Sequence, residues 1–292
     1  IYVAANDSGI WTSVVGQRAT IRASPAFNAN CDAAKIEDTE KAVLMIGTVR
    51  DEALCLNNIT IADLEIDGLT GTELGPSGNL RQASIGIYAR SNPSADTKGP
   101  AANHSGACGL GLTMRNVHVH DQNVQNVGVC DWTDVQLLNS QLHSVANPDY
   151  GGFREPNCTT LECDSRGCGG DNWRWYCQYM HNLYYTRTTN AVIRNTTFDD
   201  AMWGSALDLT GALDTVVDGC NFSNIRQSVV YFDTGGYARD AKNLTMTRIV
   251  ATNVSSLATV GGPGLVMKSV RARGVRFGFF LHGQQPDVSD LD

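Results

Sequence analysis

Several residues in this sequence could do chemistry. Asp199 and Asp200 are adjacent, and Asp208 and Asp233 close the alternating stretches Ala206-Leu207-Asp208 and Val230-Tyr231-Phe232-Asp233. Two carboxylates flanking a bond are what glycoside hydrolysis needs. Arg154, Tyr184 and His181 are groups that could take a proton from carbon beside a uronate. Asp208 and Asp233 could hold calcium to neutralise that uronate. Calcium is the one cofactor these residues suggest, and none of them demands it. Trp173 and Trp175, and on a second element Tyr231 and His282, offer flat surfaces with polar edges that suit a sugar ring. His118 and His120 alternate along a strand and read as an exposed pair rather than a metal site. His181 opens a strand, a place that is more often structural. No nucleophile elbow, phosphate loop or His-Glu-x-x-His pattern is present.

These residues need a scaffold, and a repeat supplies it. Ile59 to Ile66, Leu112 to Val119, Val135 to Leu142, Ala191 to Phe198 and Thr215 to Phe222 share one frame. It runs apolar, any, apolar, any, small polar, any, any, apolar. Its third positions are Ile61, Met114, Leu137, Ile193, Val217, Met246 and Met267, separated by 53, 23, 56, 24, 29 and 21 residues. The two long gaps read as two repeats each, which sets the unit at 21 to 29 residues and the chain at about ten coils. Each unit has two short strands flanking an Asn/Asp/Gly turn and a third after a looser loop, as in Ile85-Gly86-Ile87-Tyr88 and Val127-Gly128-Val129-Cys130. The alternation has strand period, not helical period. The units have neither the Leu-x-x-Leu consensus of leucine-rich repeats nor the hairpin turns of an up-and-down barrel.

The expected fold is all-β: a right-handed parallel β-helix solenoid, a single domain over 1–292, with like residues stacked on like. Asp63, Asn116, Asn139, Asn195 and Gly219 fall in one register and predict an asparagine ladder that Arg248 interrupts. On the third strands, Ile87, Val129, Phe153, Leu183, Leu207, Phe232 and Leu281 should point inward. Tyr88, Arg90, Cys130, Arg154, Tyr184, Asp208, Tyr231, Asp233 and His282 should then form an outer strip. Two polar insertions depart from the repeat, at about 91–108 and 146–178. The second holds Cys158, Cys163, Cys168 and Cys177, and so reads as a disulfide-rich loop.

The segments "ITIADLEIDG", "LTMRNVHVHD" and "AVIRNTTFDD" resemble the repeat of the parallel β-helix, pectin-lyase-like superfamily. Pectate lyases, polygalacturonases, alginate lyases, mannuronan epimerases, fibrocystin-like surface proteins and phage tailspikes share it. The resemblance spans most of residues 55–285 and implies the fold, with a polysaccharide cleft on the third-strand face. Asp199-Asp200 is similar to the paired aspartates of polygalacturonases. That family's Asn-Thr-Asp, Gly-His-Gly and Arg-Ile-Lys motifs are absent, as are the epimerase Asp-Pro-His and the pectate-lyase arginine signature.

Composition narrows the setting. The net charge is −8 with 22 basic residues, which excludes the basic footprint of a nucleic-acid binder. No apolar run approaches the ~18 residues of a membrane span. Nine cysteines without paired two-residue gaps favour disulfides over zinc knuckles. Asn6, Asn58, Asn103, Asn157, Asn195, Asn221, Asn243 and Asn253 open Asn-x-Ser/Thr triplets, although such asparagines also suit turns. A chain opening at Ile1 reads as processed or as a segment of a longer one. Three readings follow: a secreted, glycosylated enzyme of the lyase or hydrolase type acting on an extracellular polysaccharide; a non-enzymatic segment of a surface, cell-wall or filament glycoprotein, self-associating end to end; and a carbohydrate-binding module.

Overall fold

The computed structural model describes residues 2–3, 9–12, 18–22, 42–47, 56–74, 80–82, 85–91, 109–122, 125–145, 181–201, 204–233, 241–281 and 287–291. Almost every described strand pairs in parallel with the strands one turn before and one turn after it, giving one continuous 21-stranded sheet. The chain winds through three faces. The first carries Asn57–Ala62, Gly109–Arg115, Trp132–Leu138, Thr189–Arg194 and Leu213–Asp218. The second carries Leu64–Asp67, His118–His120, Gln141–His143 and Thr197–Ala201. The third carries Ala42–Gly47, Ile85–Arg90, Gln125–Cys130, His181–Thr186 and Leu207–Asp208. In the later turns single strands pass through several faces: Asn221–Phe232 covers two, and Lys242–Val260 and Leu265–Leu281 cover all three. The described residues make eight complete turns, from Gly9 to Leu281. Tyr2–Val3 belongs to the turn before and Asp287–Leu291 to the turn after.

The predicted column is intact. Ile61 pairs with Met114, Met114 with Leu137, Leu137 with Ile193, Ile193 with Val217, Val217 with Met246, and Met246 with Met267. All seven are essentially inaccessible to solvent. Parallel stacking explains this: a residue that faces the core must meet the same position of the next turn, so side-chain type propagates along the axis. Phe198 and Phe222 show it on the second face, with rings 5.0 Å apart and nearly parallel. The direct pairing of Ile61 with Met114 and of Leu137 with Ile193 corrects the reading of the long gaps. Each gap is one turn lengthened by insertions, not two turns. Part of what lengthens the first of these turns, ahead of the 91–108 insertion, is an antiparallel hairpin, Leu69–Leu74 with Leu80–Gln82. The inward residues of the third strands are as expected, with Ile87, Val129, Leu183, Leu207 and Phe232 fully buried. Leu281 continues that column through Val260 yet is half exposed, since no described strand lies beyond it there.

The corners explain the polar residues of the repeat. Between the first and second faces the chain turns on a single left-handed residue: Asp63, Asn116, Asn139, Asn195, Gly219, Arg248 and Ser269, each with φ between +50° and +65°. An L-residue pays for that conformation unless, like Asn and Asp, its short polar side chain bonds locally. Here the bond runs along the axis. The amide of Asn116 donates to Asp63 Oδ1 at 2.6 Å and that of Asn195 to Asn139 Oδ1 at 3.3 Å. At the expected break Arg248 takes the corner, and its guanidinium instead grips Asp218 at 2.8 and 2.6 Å.

Candidate functional site

The third face carries most of the residues with candidate chemistry. Register places Tyr88 next to Gly128, then Tyr184, Asp208, Tyr231 and Thr259, one per turn. This is the outer strip expected from alternation. Its burial is uneven. Tyr88, Arg90, Cys130, Tyr184 and Asp208 are all buried, whereas Tyr231 and Asp233 keep partial access to solvent. The strip is therefore closed over its early turns and opens toward the later ones.

At the closed end, Asp208 is locked. Its Oδ1 accepts the Thr210 N–H at 3.1 Å and the Thr210 hydroxyl at 2.5 Å, a local turn cap. His181 Nε2 stands 3.1 Å from Oδ2, an ion-pair distance without hydrogen-bond alignment. His181 Nδ1 accepts the Ser205 N–H at 3.0 Å, which leaves the neutral ring's proton on Nε2, toward Asp208. Tyr184 stacks on that ring with centroids 5.9 Å apart. With one nitrogen accepting and the other facing a carboxylate, His181 has no lone pair to offer as a base. It holds Asp208 in place. At the open end, the Tyr231 hydroxyl donates to Asp233 Oδ2 at 3.0 Å. Asp233 packs against Gly261, where a Cβ would fall 2.1 Å from its Oδ1 and push the carboxylate aside.

The other candidates are placed as follows. Asp199 and Asp200 lie on the second face and do not share the strip with Asp208. Asp199 accepts Ser223 Oγ at 2.7 Å and Asn224 Nδ2 at 2.9 Å, and Asp200 is a left-handed corner. Burial first, then the charges of Asp199 and Asp121, raises the Asp200 carboxyl above its usual range. Arg154, Trp173, Trp175, His282, Phe153, Cys158, Cys163, Cys168 and Cys177 lie outside the described residues, as do Asn6, Asn103 and Asn157. Among the remaining triplet asparagines, Asn221 and Asn58 are exposed. Asn195, Asn243 and Asn253 occupy corners and donate their side-chain amides to Asn139, Asp214 and Asn224. Among the described residues, the clusters whose histidine and carboxylate atoms converge closely enough for a metal lie on the second face, around His120, and not on the strip. His118 and His120 there are half-buried rather than exposed, because His143 of the next turn and Glu65 of the previous one close over them.

No protein-family model matches this chain, and no curated protein does. Solved structures do. The polygalacturonase from Erwinia carotovora ssp. carotovora superposes with a TM-score of 0.50 at 11% identity, over 93% of this chain and 68% of that one. The Family 28 exopolygalacturonase of Yersinia enterocolitica gives 0.43 at 7% identity, over 86% and 62%. The alginate lyase from Paenibacillus sp. str. FPU-7 gives 0.39 at 11% identity, over 99% and 89%. Of these three overlaps the first is deep enough to speak for the fold. Parallel three-faced winding, left-handed corners and this likeness together define the fold as a right-handed parallel β-helix.

Proposed function

We propose that this is a secreted, glycosylated β-helix protein that acts on an extracellular polysaccharide along its third face. The observation that carries the reading is the tyrosine and carboxylate column that opens to solvent at Tyr231 and Asp233. Cleavage by β-elimination and cleavage by hydrolysis share one requirement, a proton for the departing glycosidic oxygen. The Tyr231 phenol, oriented by Asp233 at 3.0 Å, is placed to supply it. Asp208, capped by Thr210 and facing His181, stands one turn away, with Tyr184 packed beside it. Arg154 is a further proposed catalytic group, Trp173, Trp175 and His282 are the remaining proposed substrate contacts, and calcium at Asp233 is the ion that would recruit a uronate.

The test is a panel of uronate and neutral polymers incubated with the whole chain. Product is read both as new reducing ends and as the ultraviolet absorbance of an unsaturated sugar, which separates hydrolysis from elimination. Tyr231→Phe and Asp233→Asn should each lower turnover at least tenfold with little change in polymer binding. If the parent chain cuts no polymer, the enzymatic reading fails. The Thr210 cap on Asp208 and the Ser205 N–H held by His181 Nδ1 favour a second reading, a structural or glycan-binding β-helix. A polymer that is retarded but never cut would establish that reading instead.

A further inference from the structure

We propose that Glu65, His118 and His120 form a binding site for a divalent transition metal of the zinc type on the second face of the helix. Glu65 stands opposite His118 in register, and His120 stands between Asp67 of the turn before and His143 of the turn after. Val119, between the two histidines, is buried in the core, so both rings project to the same outer side. Glu65 Oε1 lies 3.5 Å from His118 Nδ1 and 3.3 Å from His120 Nε2. Ligands about 2.0–2.1 Å from a tetrahedral zinc are separated by about 3.3–3.4 Å. Two edges of the coordination polyhedron are therefore already at the required length, and the third pair of ligand atoms lies within 4.8 Å.

The atoms behind each ligand support the same assignment. His120 Nδ1 faces Asp121 Oδ2 at 2.7 Å, the carboxylate–histidine arrangement that orients metal-bound imidazoles. His118 Nε2 faces His143 Nε2 at 2.7 Å, and His143 Nδ1 meets Ser144 Oγ at 2.9 Å. The Thr20 hydroxyl donates to Glu65 Oε2, which turns Oε1 toward the rings. One set of tautomers satisfies this whole chain: His143 gives its proton to Ser144, His118 to His143, and His120 to Asp121. It leaves the lone pairs of His118 Nδ1, His120 Nε2 and Glu65 Oε1 within 4.8 Å of one another, where a cation would replace the proton that His120 Nε2 otherwise shares with Glu65 Oε1 at 3.3 Å. Asp67, the other nearby carboxylate, is occupied by the Arg22 guanidinium at 2.7 Å and serves as support. The side chains of His120, His118 and Glu65 are 12%, 18% and 30% exposed, which leaves a coordination position for water.

The site is independent of the third-face reading. The test uses the whole chain, stripped with chelator, then titrated with zinc chloride by calorimetry and with cobalt chloride in the visible. One equivalent of zinc should bind, and His118→Gln and His120→Gln should each weaken it at least 100-fold. Asp121→Asn, which keeps the three ligands, should weaken it about 10–100-fold, the range for loss of an orienting partner. Cobalt should give d–d bands of a nitrogen and oxygen site. Absence of stoichiometric binding to the parent chain overturns the proposal. So does affinity within threefold in the folded His118→Gln, His120→Gln double variant, or a thiolate-to-cobalt charge-transfer band, which would place the metal on cysteines.

Discussion

Asp131→Asn should be among the most damaging conservative changes in this protein. Asp131 and Arg187 stand on adjacent turns at the corner after the third face, where Cys130 pairs with Thr186. Nε and one terminal nitrogen of Arg187 each donate to a separate oxygen of Asp131 at 2.8 Å. The two side chains are 3% and 4% exposed, so neither charge is hydrated. Asparagine keeps the volume and tolerates the left-handed corner at φ +59°, so sterics and backbone strain are held constant. What changes is the charge, together with one amide N–H now facing a guanidinium N–H. Two unit charges about 4 Å apart interact by about 4 kcal/mol at an effective dielectric near 20. Orphaning one member of a buried pair typically costs about 3–5 kcal/mol. The two routes agree on about 4 kcal/mol. The assay is urea unfolding by far-UV circular dichroism, comparing variants only where their m-values agree, since long repeat arrays can lose cooperativity. The double variant Asp131→Asn, Arg187→Met removes both charges and should recover about half of the loss, about 2 kcal/mol. A cost for Asp131→Asn below about 1 kcal/mol, the range of an exposed ion pair, would refute the reasoning. The Arg194–Asp218 contact is the internal comparison: Arg194 is 52% exposed and lies 3.4 Å from a carboxylate that Arg248 also holds, so Arg194→Ala should fall within that small range.

Three further outcomes follow from the corners and the core. Asn195→Gly should be nearly silent while Asn195→Ala costs about 1–2 kcal/mol, because both lose the long, exposed axial bond but only alanine pays for left-handed backbone; equal losses in urea unfolding would show that the ladder, not the backbone, dominates. Gly109→Ala puts a Cβ 2.4 Å from the fully buried Trp132 indole, and should cost about 1–3 kcal/mol and change the tryptophan emission; unchanged stability and spectrum would mean that the ring can move aside. The Asp218 carboxyl is held at about 2, chiefly by hydrogen bonds from Arg248. Its folded value lies below the ordinary 3.8, so its contribution is full above that pH and is lost as the pH falls toward 2. In Arg248→Ala a carboxyl-carbon NMR titration should move back toward the ordinary value, and a midpoint still near 2 would contradict this account.

The scaffold was legible in the residues because a parallel β-helix copies its pattern from turn to turn. Ile61, Met114, Leu137, Ile193, Val217, Met246 and Met267 form one column because each must fill the same place above its neighbour. The corner was legible for the same reason, including the interruption at Arg248, since Asn, Asp and Gly are the residues that tolerate left-handed backbone. Counting turns was harder. A gap of 53 or 56 residues is equally consistent with two short turns and with one turn carrying a long loop. Loop length costs little in closure entropy, so spacing alone does not decide between them.

Alternation also assigned Tyr184, Asp208 and Tyr231 to the outer side of the third strands, but periodicity says which way a side chain points and not what lies over it. Hence the burial of Asp208 and the openness of Asp233 emerge only in three dimensions. The second face shows the opposite situation, where the needed arithmetic was present and pointed elsewhere. His120 precedes His143 by the same 23 residues that separate Met114 from Leu137. Glu65 precedes His118 by the same 53 that separate Ile61 from Met114. Once those two column offsets are taken as single turns, His118, His120, His143 and Glu65 must stand side by side on one face. An exposed pair of histidines becomes a half-buried cluster that spans three turns. In a solenoid, then, a chemical site is found by asking which polar residues share the spacing of the core, because stacking gathers them whether or not they are neighbours in sequence.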